Sequence, residues 1–494
     1  MGGAAIDMRI SALIEPGLAL RAGDASTDVA SLTADSRAAS PGCLFAALHG
    51  MRADGARFVA DAVARGAVAV LGPEGLEAPP GVAVLSADNP RRALARVAAR
   101  FFAAQPDHVC AVTGTSGKSS VAEFARQIWT AMGHAAASLG TLGIVAPGRR
   151  VAGSLTTPDP VALHAELARL AAGGVTHLAM EASSHGLDQY RLDGVELRAA
   201  AFTNLSRDHL DYHADMAAYL AAKLRLFEDL LPVGGAAVAN ADDPNFAAIA
   251  GIARRRGHRL IGFGHAGREL RLVARSADAT GQDLRLEIEG RARQARLGLV
   301  GAFQAMNALA ALGLVIGAGA DAAQAVAALD GLTGVPGRLE RAALRDDGAA
   351  VYVDYAHKPD ALRSVLEALR PHARGKLAVV FGCGGERDPG KRPEMGAIAA
   401  RLADRVYVTD DNPRGEDPGA IRAAVLAGCP GAVEIGARRD AIFRAVADLG
   451  PGDVLVVAGK GHEAGQIVGA TTIPFDDVAV ARAAVAAAGS GAPT

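Results

Sequence analysis

Apolar residues come along this chain in short runs, each closed by glycine, proline or a cluster of polar residues, and the runs alternate with longer stretches of helical spacing. Val109 to Val112, Val175 to Met180, Ala199 to Thr203, Ala350 to Tyr355, Leu377 to Gly382, Val406 to Thr409 and Val454 to Ala458 have the length and flanking turn residues of buried strands. Asn89 to Phe102, Met216 to Leu231 and Asp360 to Leu369 read as helices, the first opened by Asn-Pro and followed by Gln105-Pro106-Asp107. Strands alternating with helices, with polar residues gathered after the strand ends, predict α/β domains on parallel sheets that bind ligands beyond the strand carboxyl ends.

Three such domains are expected. Residues 1–104 form a small α/β domain, with strands over Leu32 to Arg37, Gly42 to Leu48 and Ala67 to Leu71 and a helix near Ala56 to Arg65. Its polar clusters, Thr33 to Arg37 and Gly50 to Gly55, read locally as surface turns. Residues 105–334 form a central domain, and residues 335–494 a third that opens near Val335-Pro336-Gly337-Arg338. A chain of 494 residues, 50% apolar and 21% charged, can build cores of that number.

Charge and cysteine content narrow the function classes. Lys and Arg number 51 against 53 Asp and Glu, a formal charge of −2, so no global field points to nucleic acid or an anionic membrane. Cys43, Cys110, Cys383 and Cys429 lack CxxC or Cys/His spacing, which argues against a disulfide framework or a zinc site and fits a reducing cytoplasm. No signal-peptide pattern opens the chain, and no apolar run approaches the ~18 residues of a membrane span.

The densest candidate chemistry is VCAVTGTSGKSS, Val109 to Ser120. A strand feeds a glycine-bracketed loop whose backbone N–H groups can face phosphate oxygens, with Lys118 as counter-charge and a hydroxyl free for Mg²⁺. The spacing Gly114-x-x-Gly117-Lys118-Ser119 is two residues shorter than the usual signature, with Val112 where a first glycine would stand. Those residue types also fit a strand-to-helix turn with a surface lysine.

Further on, Glu181 ends the Val175 to Met180 strand, where a doubly wound sheet presents a metal ligand to phosphate on a neighbouring loop; a helix-capping acid fits as well. Asp208, His209, Asp211 and His213 follow the next strand and suit either a divalent ion or a solvated helix start. Lys223, by spacing alone, is a helical surface residue.

Taken together and in order, TGTSGKSS, EASSH, FTNLSRDHLDYH, the Ala-Lys pair of YLAAKLRLF and NADDPN resemble the Mur ligases of peptidoglycan synthesis. The likeness extends to the early DSR and the later DYAHKPD, so it spans nearly the whole chain. Ser116 and Ser119 stand where many members have asparagine and threonine, and serine keeps the hydroxyl. Gln304 stands where asparagine is common.

The resemblance implies an ATP- and Mg²⁺-dependent amide ligase working through an acyl phosphate. It implies ATP binding by Gly114, Thr115, Ser116, Gly117, Lys118, Ser119 and Ser120, with Asn307 on the adenine side and Arg338, Asp354, His357 and Lys358 from the third domain. Lys118, Glu181, His209 and Lys223 are the implied catalytic set. Ser119, Glu181, His209 and a carbamylated Lys223 are implied to hold metal, since an ammonium would repel the ion and a carbamate adds an anionic oxygen. Ser36 and Arg37 would hold the uridine diphosphate end of a UDP-N-acetylmuramoyl-L-Ala-D-Glu substrate, and Thr156, Thr157, Ser184 and Arg191 its muramoyl and peptide portion.

Within that family, Asp411-Asn412-Pro413-Arg414 looks like the signature of members that add meso-diaminopimelate. Diaminopimelate carries a second carboxylate that lysine lacks, and a guanidinium binds a carboxylate through two charge-assisted hydrogen bonds. With lysine bound, Arg414 would be left without its partner, so the site would reject it. Glu463 is implied to take the distal ammonium and Arg387 the other end, with Asp411, Asn412, Pro413 and Gly459 completing the pocket. A small-molecule enzyme is therefore expected, monomeric and cytoplasmic, without nucleic-acid or membrane partners. The alternatives are a lysine-adding ligase and a non-catalytic UDP-nucleotide-binding protein on the same scaffold.

Overall fold

The structure, a computed structural model, describes residues 7–50, 54–153, 155–210, 212–278 and 280–489. Met51, Arg52 and Ala53 of the early polar cluster and Asp211 of the histidine motif lie outside these. The chain forms two compact units, one of residues 1–271 with 309–325, the other of 272–308 with 326–494.

Besides a short ladder of Met8–Arg9 with Asp28–Val29, the first unit holds two larger sheets. The N-terminal one runs Ala19–Ala22, Ala83–Ser86, Ala69–Gly72, Cys43–Ala46, Ser31–Thr33, parallel except for its first strand. The expected Leu32 to Arg37 strand ends early, because the Asp35 carboxylate accepts from Arg37 N and turns Ser36–Ala38 into a 3₁₀ helix. The helix Pro90–Phe102 begins where predicted, with Asn89 Oδ1 capping Arg92 N at 3.0 Å.

The second sheet places the P-loop strand His108–Thr113 between His177–Glu181 and Leu197–Phe202, all parallel. Ala136–Gly140 lies beyond the Glu181 strand, and Ala236–Asn240 and Arg259–Gly264 beyond the other. Glu181 pairs in register with Val112, so its side chain and the phosphate loop leave the sheet at the same level. Leu163, Leu167, Leu178 and Met180 are buried to 2% exposure or less beneath them, worth about 1.5–3 kcal/mol each. The predicted Met216 to Leu231 helix is α-helical over Met216–Arg225 and widens to a π turn at Leu226–Leu230, just ahead of Pro232.

The second unit carries a six-stranded sheet ordered Glu340–Leu344, Ala350–Asp354, Val454–Ala458, Leu377–Phe381, Arg405–Val408, Val433–Glu434, parallel except for the first strand. A long hairpin, Gly281–Ile288 with Arg291–Leu297, was not anticipated by the helix and strand periodicity. A second, Gly465–Val468 with Thr471–Pro474, follows the last central strand. All four cysteines are buried and unbridged. Among the described residues no helix is long and apolar enough to cross a membrane.

Candidate active site

In the first unit the loop after Thr113 is pinned to the end of the Leu197–Phe202 strand. Thr115 N donates to Asn204 O at 2.9 Å, Ser116 N to Asn204 Oδ1 at 2.9 Å, and Thr203 Oγ1 to Ser116 O at 2.7 Å. Gly114 has φ +145°, and a Cβ there would stand 1.9 Å from Thr203 Oγ1, so only glycine lets the loop approach so closely. Gly117, at φ +89°, turns the chain into the helix Lys118–Ala131, whose first turn carries Lys118, Ser119 and Ser120.

Glu181 is 2% exposed and sits at the centre of a hydrogen-bonded chain. It accepts from Ser119 Oγ at 2.8 Å and from Thr141 N at 2.7 Å, both on Oε1, and from Thr141 Oγ1 at 3.3 Å on Oε2. Thr141 continues to Thr156 at 3.0 Å. Thr157 Oγ1 donates to Glu181 O at 3.0 Å, and Arg191 donates to Thr157 O at 2.6 Å. Ser184 is buried one residue past the cap of the short Ser184–Asp188 helix. Lys118, Ser119, Glu181, Thr156, Thr157, Ser184 and Arg191 are thus gathered along one strand-end region.

Gly140 and Thr141 were missed by the sequence reading. A Cβ at residue 140 would lie 2.1 Å from Glu181 Oε1, so this glycine makes room for the carboxylate and Thr141 orients it. No local pattern marks them; the requirement appears only when two strands pair.

Lys223 corrects the spacing argument. It is 1% exposed, because the alanine-rich helix carrying it packs its lysine face inward. Its ammonium nitrogen is 2.8 Å from Gly114 O and 4.3 Å from the Tyr219 ring centroid. Lys118 Nζ also approaches Gly114 O, at 2.9 Å, and Thr115 O at 3.0 Å. Burial, reinforced by the Lys118 charge and only partly opposed by Asp208, pushes Lys223 down to about 6. The amine is therefore mostly neutral at pH 7.

His209 is half exposed at φ +52°. Its ring packs near His185 (4.9 Å) and Tyr219 (6.1 Å), with Nε2 3.6 Å from the Asp208 carboxylate. Among the described residues, no three His, Cys, Asp or Glu side chains form a ready cation cage. Ser119 Oγ and Glu181 supply adjacent hard oxygens, which fits Mg²⁺, an ion that keeps several waters and binds through one or two carboxylates plus substrate phosphates. Ser36 and Arg37 lie on the exposed 3₁₀ turn, where the Arg37 guanidinium beside Asp35 holds that carboxyl down at about 2.

In the second unit the polar ends of four parallel strands meet. Asp354 is buried, accepting from Leu339 N at 2.7 Å and Ala356 N at 2.8 Å, and burial pushes its carboxyl up to about 6. It thereby anchors the turn of Arg338, whose guanidinium lies 5.2 Å from the Tyr355 ring. His357 Nδ1 contacts Tyr355 O at 2.8 Å, and Lys358 precedes the helix Pro359–Leu369. Asn307 donates to Gln304 Oε1 at 3.0 Å inside the helix Ala302–Gly317.

Arg414 takes φ +52° and is half-buried. Its guanidinium donates to Gly385 O at 2.8 Å, and its backbone is bonded to Ile467 O at 3.1 Å and Gly469 N at 2.7 Å. Cβ atoms at Gly384 and Gly385 would stand 2.9 Å from Arg414 Nη1 and 1.9 Å from Pro413 O, so the glycine pair is what admits this loop. Arg387 is exposed on the adjoining loop. Asp411, Asn412, Gly459 and Glu463 cluster with Lys460, a residue to which the sequence reading gave no role.

This combination of a phosphate loop facing a strand-end glutamate and a buried lysine on the neighbouring helix is that of a Mur ligase, and the chain belongs to that family. Family models described as "Mur ligase family, catalytic domain", "Mur ligase middle domain" and "Mur ligase, glutamate ligase domain" match residues 28–102, 112–315 and 337–461. The UDP-N-acetylmuramoyl-L-alanyl-D-glutamate–2,6-diaminopimelate ligase of Bradyrhizobium diazoefficiens is 54% identical over 97% of this chain and 99% of its own. That of Caulobacter vibrioides is 56% identical over 91% and 94%. A solved structure of a ligase with the same name is 32% identical over 97% of this chain and 99% of its own, with a TM-score of 0.79. Mur ligases are ATP-dependent ligases, and this chain is an α/β enzyme of that three-domain kind.

Proposed function

We propose that the chain joins meso-2,6-diaminopimelate to the D-glutamate carboxylate of UDP-N-acetylmuramoyl-L-Ala-D-Glu, using ATP, in peptidoglycan precursor synthesis. Arg414 carries this reading: a guanidinium half-buried beside Glu463's cluster, braced at its backbone, suits an amino acid with a distal carboxylate and ammonium. The names of the relatives point the same way.

The γ-phosphoryl group passes from ATP to the carboxylate oxygen, releasing ADP. The amine of diaminopimelate then attacks the acyl carbon, an amide bond forms, the ammonium proton is lost and phosphate leaves. Such transfers depend on positioning and charge neutralisation. Lys118 and the loop amides hold the β- and γ-phosphates, while Ser119 and Glu181 would hold Mg²⁺, with His209 and a Lys223 carbamate as further ligands. When bound, the ion would supply neutralisation of the charge that develops on the transferred phosphoryl group. The neutral amine of Lys223 is the form that adds CO₂, which is why its burial beside Lys118 supports the carbamate.

Thr156, Thr157, Ser184 and Arg191 orient the peptide carboxylate near Glu181, and Ser36 and Arg37 take the uridine diphosphate. Arg338, His357 and Lys358 serve ATP, with Asp354 holding their loop and Asn307 on the adenine side. We assign these tasks to domains 1–104, 105–334 and 335–494 of a monomeric, cytoplasmic enzyme. The test is phosphate release with ATP, Mg²⁺ and the UDP-dipeptide, comparing meso-diaminopimelate with L-lysine. Turnover with the first alone supports the reading; equal turnover removes the role of Arg414; turnover with neither returns the chain to a binding role. Lys118→Ala or Glu181→Ala enzyme at full turnover would remove the catalytic assignment.

A further inference from the structure

Lys460 is fully buried behind the Asp411 to Arg414 loop and has no task in the reaction described above. Its ammonium donates to Asn412 Oδ1 at 3.0 Å and Glu463 Oε2 at 3.0 Å, and lies 3.6 Å from Asp411 Oδ1. Asn412 closes the ring by donating from Nδ2 to the same Glu463 oxygen at 3.0 Å, and its Oδ1 also accepts from Ile467 N at 2.9 Å. These bonds occupy Glu463 Oε2 and leave Oε1 without a protein donor among the described residues.

The charges of the cluster point to the kind of ligand. Arg438 and Asp477, both fully buried, pair with each other through bonds of 2.8 and 2.7 Å. Asp411 and Glu463 then share Lys460, with the Arg438 guanidinium acting on Asp411 as well, and both Glu463 Oε1 and Asp411 Oδ1 are carboxylate oxygens without a hydrogen-bond donor among the described residues. A ligand ammonium completes the cluster.

We propose that Lys460 is a positioning residue for the amino-acid substrate: it locks Glu463 and Asn412 into one preformed face whose open carboxylate oxygen receives the ligand's ammonium. The inference rests on the ligase reading. Without the lysine, Glu463 loses the ammonium bonded to it while still facing the Asp411 carboxylate, and it must turn away or take up a proton before the substrate can bind. A buried lysine kept only for stability is poorly explained, since apolar replacements of buried ion pairs are often neutral or stabilising.

The test is steady-state kinetics on the full chain for wild type, Lys460→Met, Glu463→Gln and the double variant. Lys460→Met is expected to raise the diaminopimelate KM roughly 30-fold or more, with the KM values for ATP and UDP-dipeptide within about 2-fold. In the Glu463→Gln background the same substitution should add less than about 3-fold, because its effect runs through Glu463. A uniform change in all three KM values, an unchanged diaminopimelate KM, or full additivity overturns the proposal. Should Lys460→Met fail to fold by circular dichroism, Lys460→Gln, which keeps a donor and loses the charge, runs the same cycle. Wild-type enzyme without diaminopimelate-dependent phosphate release would sink the ligase reading and this inference with it.

Discussion

Two buried lysines in this chain live in opposite surroundings. In the first unit Lys223 faces a backbone carbonyl, an aromatic ring and a second ammonium, and among the described residues no carboxylate is bonded to it, Asp208 acting only from a distance. Lys460, in the second, is ringed by two carboxylates and a carboxamide. The same side chain is an amine whose burial disfavours its charge in the one place and a partner of carboxylates in the other. Burial alone does not decide what a lysine does; the sign of its neighbours does.

The sharpest way to break this comparison is to remove the amine at the phosphate loop. Lys223→Met should lower ligase turnover by roughly 10³-fold, the scale of losing one preorganised group acting on developing phosphoryl charge. Wild-type turnover should also fall in CO₂-depleted buffer and recover with bicarbonate, while the variant stays unresponsive. A wild type indifferent to CO₂ would leave Lys223 as an uncharged packing residue and remove the contrast in chemistry.

Next in size is the amino-acid pocket. Arg414→Ala should narrow the preference for meso-diaminopimelate over L-lysine by about 100-fold, measured as the ratio of kcat/KM values. Arg414→Lys should recover little of it, since an ammonium does not reproduce the forked contact. Preserved discrimination in either variant would place selectivity in the Lys460 cluster instead.

Stability sharpens the comparison further. The folded-state value of Lys223 lies at about 6 against an ordinary 10.5. Between those values the unfolded chain binds the proton more tightly, so the lysine costs stability throughout the window and costs most at its acid end. Lys223→Met should therefore raise the unfolding free energy by ~1–3 kcal/mol near pH 7 in CO₂-depleted urea titrations, and by less near pH 9. An inactive variant that is more stable than its parent would mark the lysine as kept for chemistry.

Much of the site was legible because its signals are local. The glycine bracket, the lysine and the hydroxyl of the phosphate loop are neighbours in sequence, and Glu181 announces itself by ending an apolar run. The burial of Lys223 was not legible, since an alanine-rich helix shows no polar stripe to say which side faces out. Nor was Gly140, whose importance exists only once its strand pairs beside that of Glu181. The motif around Asn412 could be read, but its role as a hub joining Lys460, Glu463 and Ile467 depends on three segments brought together by the sheet.

The smallest effect tests whether neighbour charge also governs groups away from the chemistry. At the other end of the P-loop strand, the His177 ring stacks at 4.4 Å on His108 and lies 4.2 Å from the tilted His134 ring, with Trp129 at 5.2 Å. Burial, then the two neighbouring imidazoles, push His177 from 6.5 down to about 4. Above pH 6.5 the ring is neutral folded or unfolded, and its stabilising packing is fully present. As pH falls from there toward 4, the unfolded chain takes up the proton that the folded one resists, and that stability is lost. His177→Phe, which keeps the stack and removes the titration, should flatten the decline in unfolding free energy between pH 6.5 and 4 by about 1 kcal/mol. An acid limb unchanged by the substitution would assign it to other groups, first to His164, whose burial also lowers it to about 4.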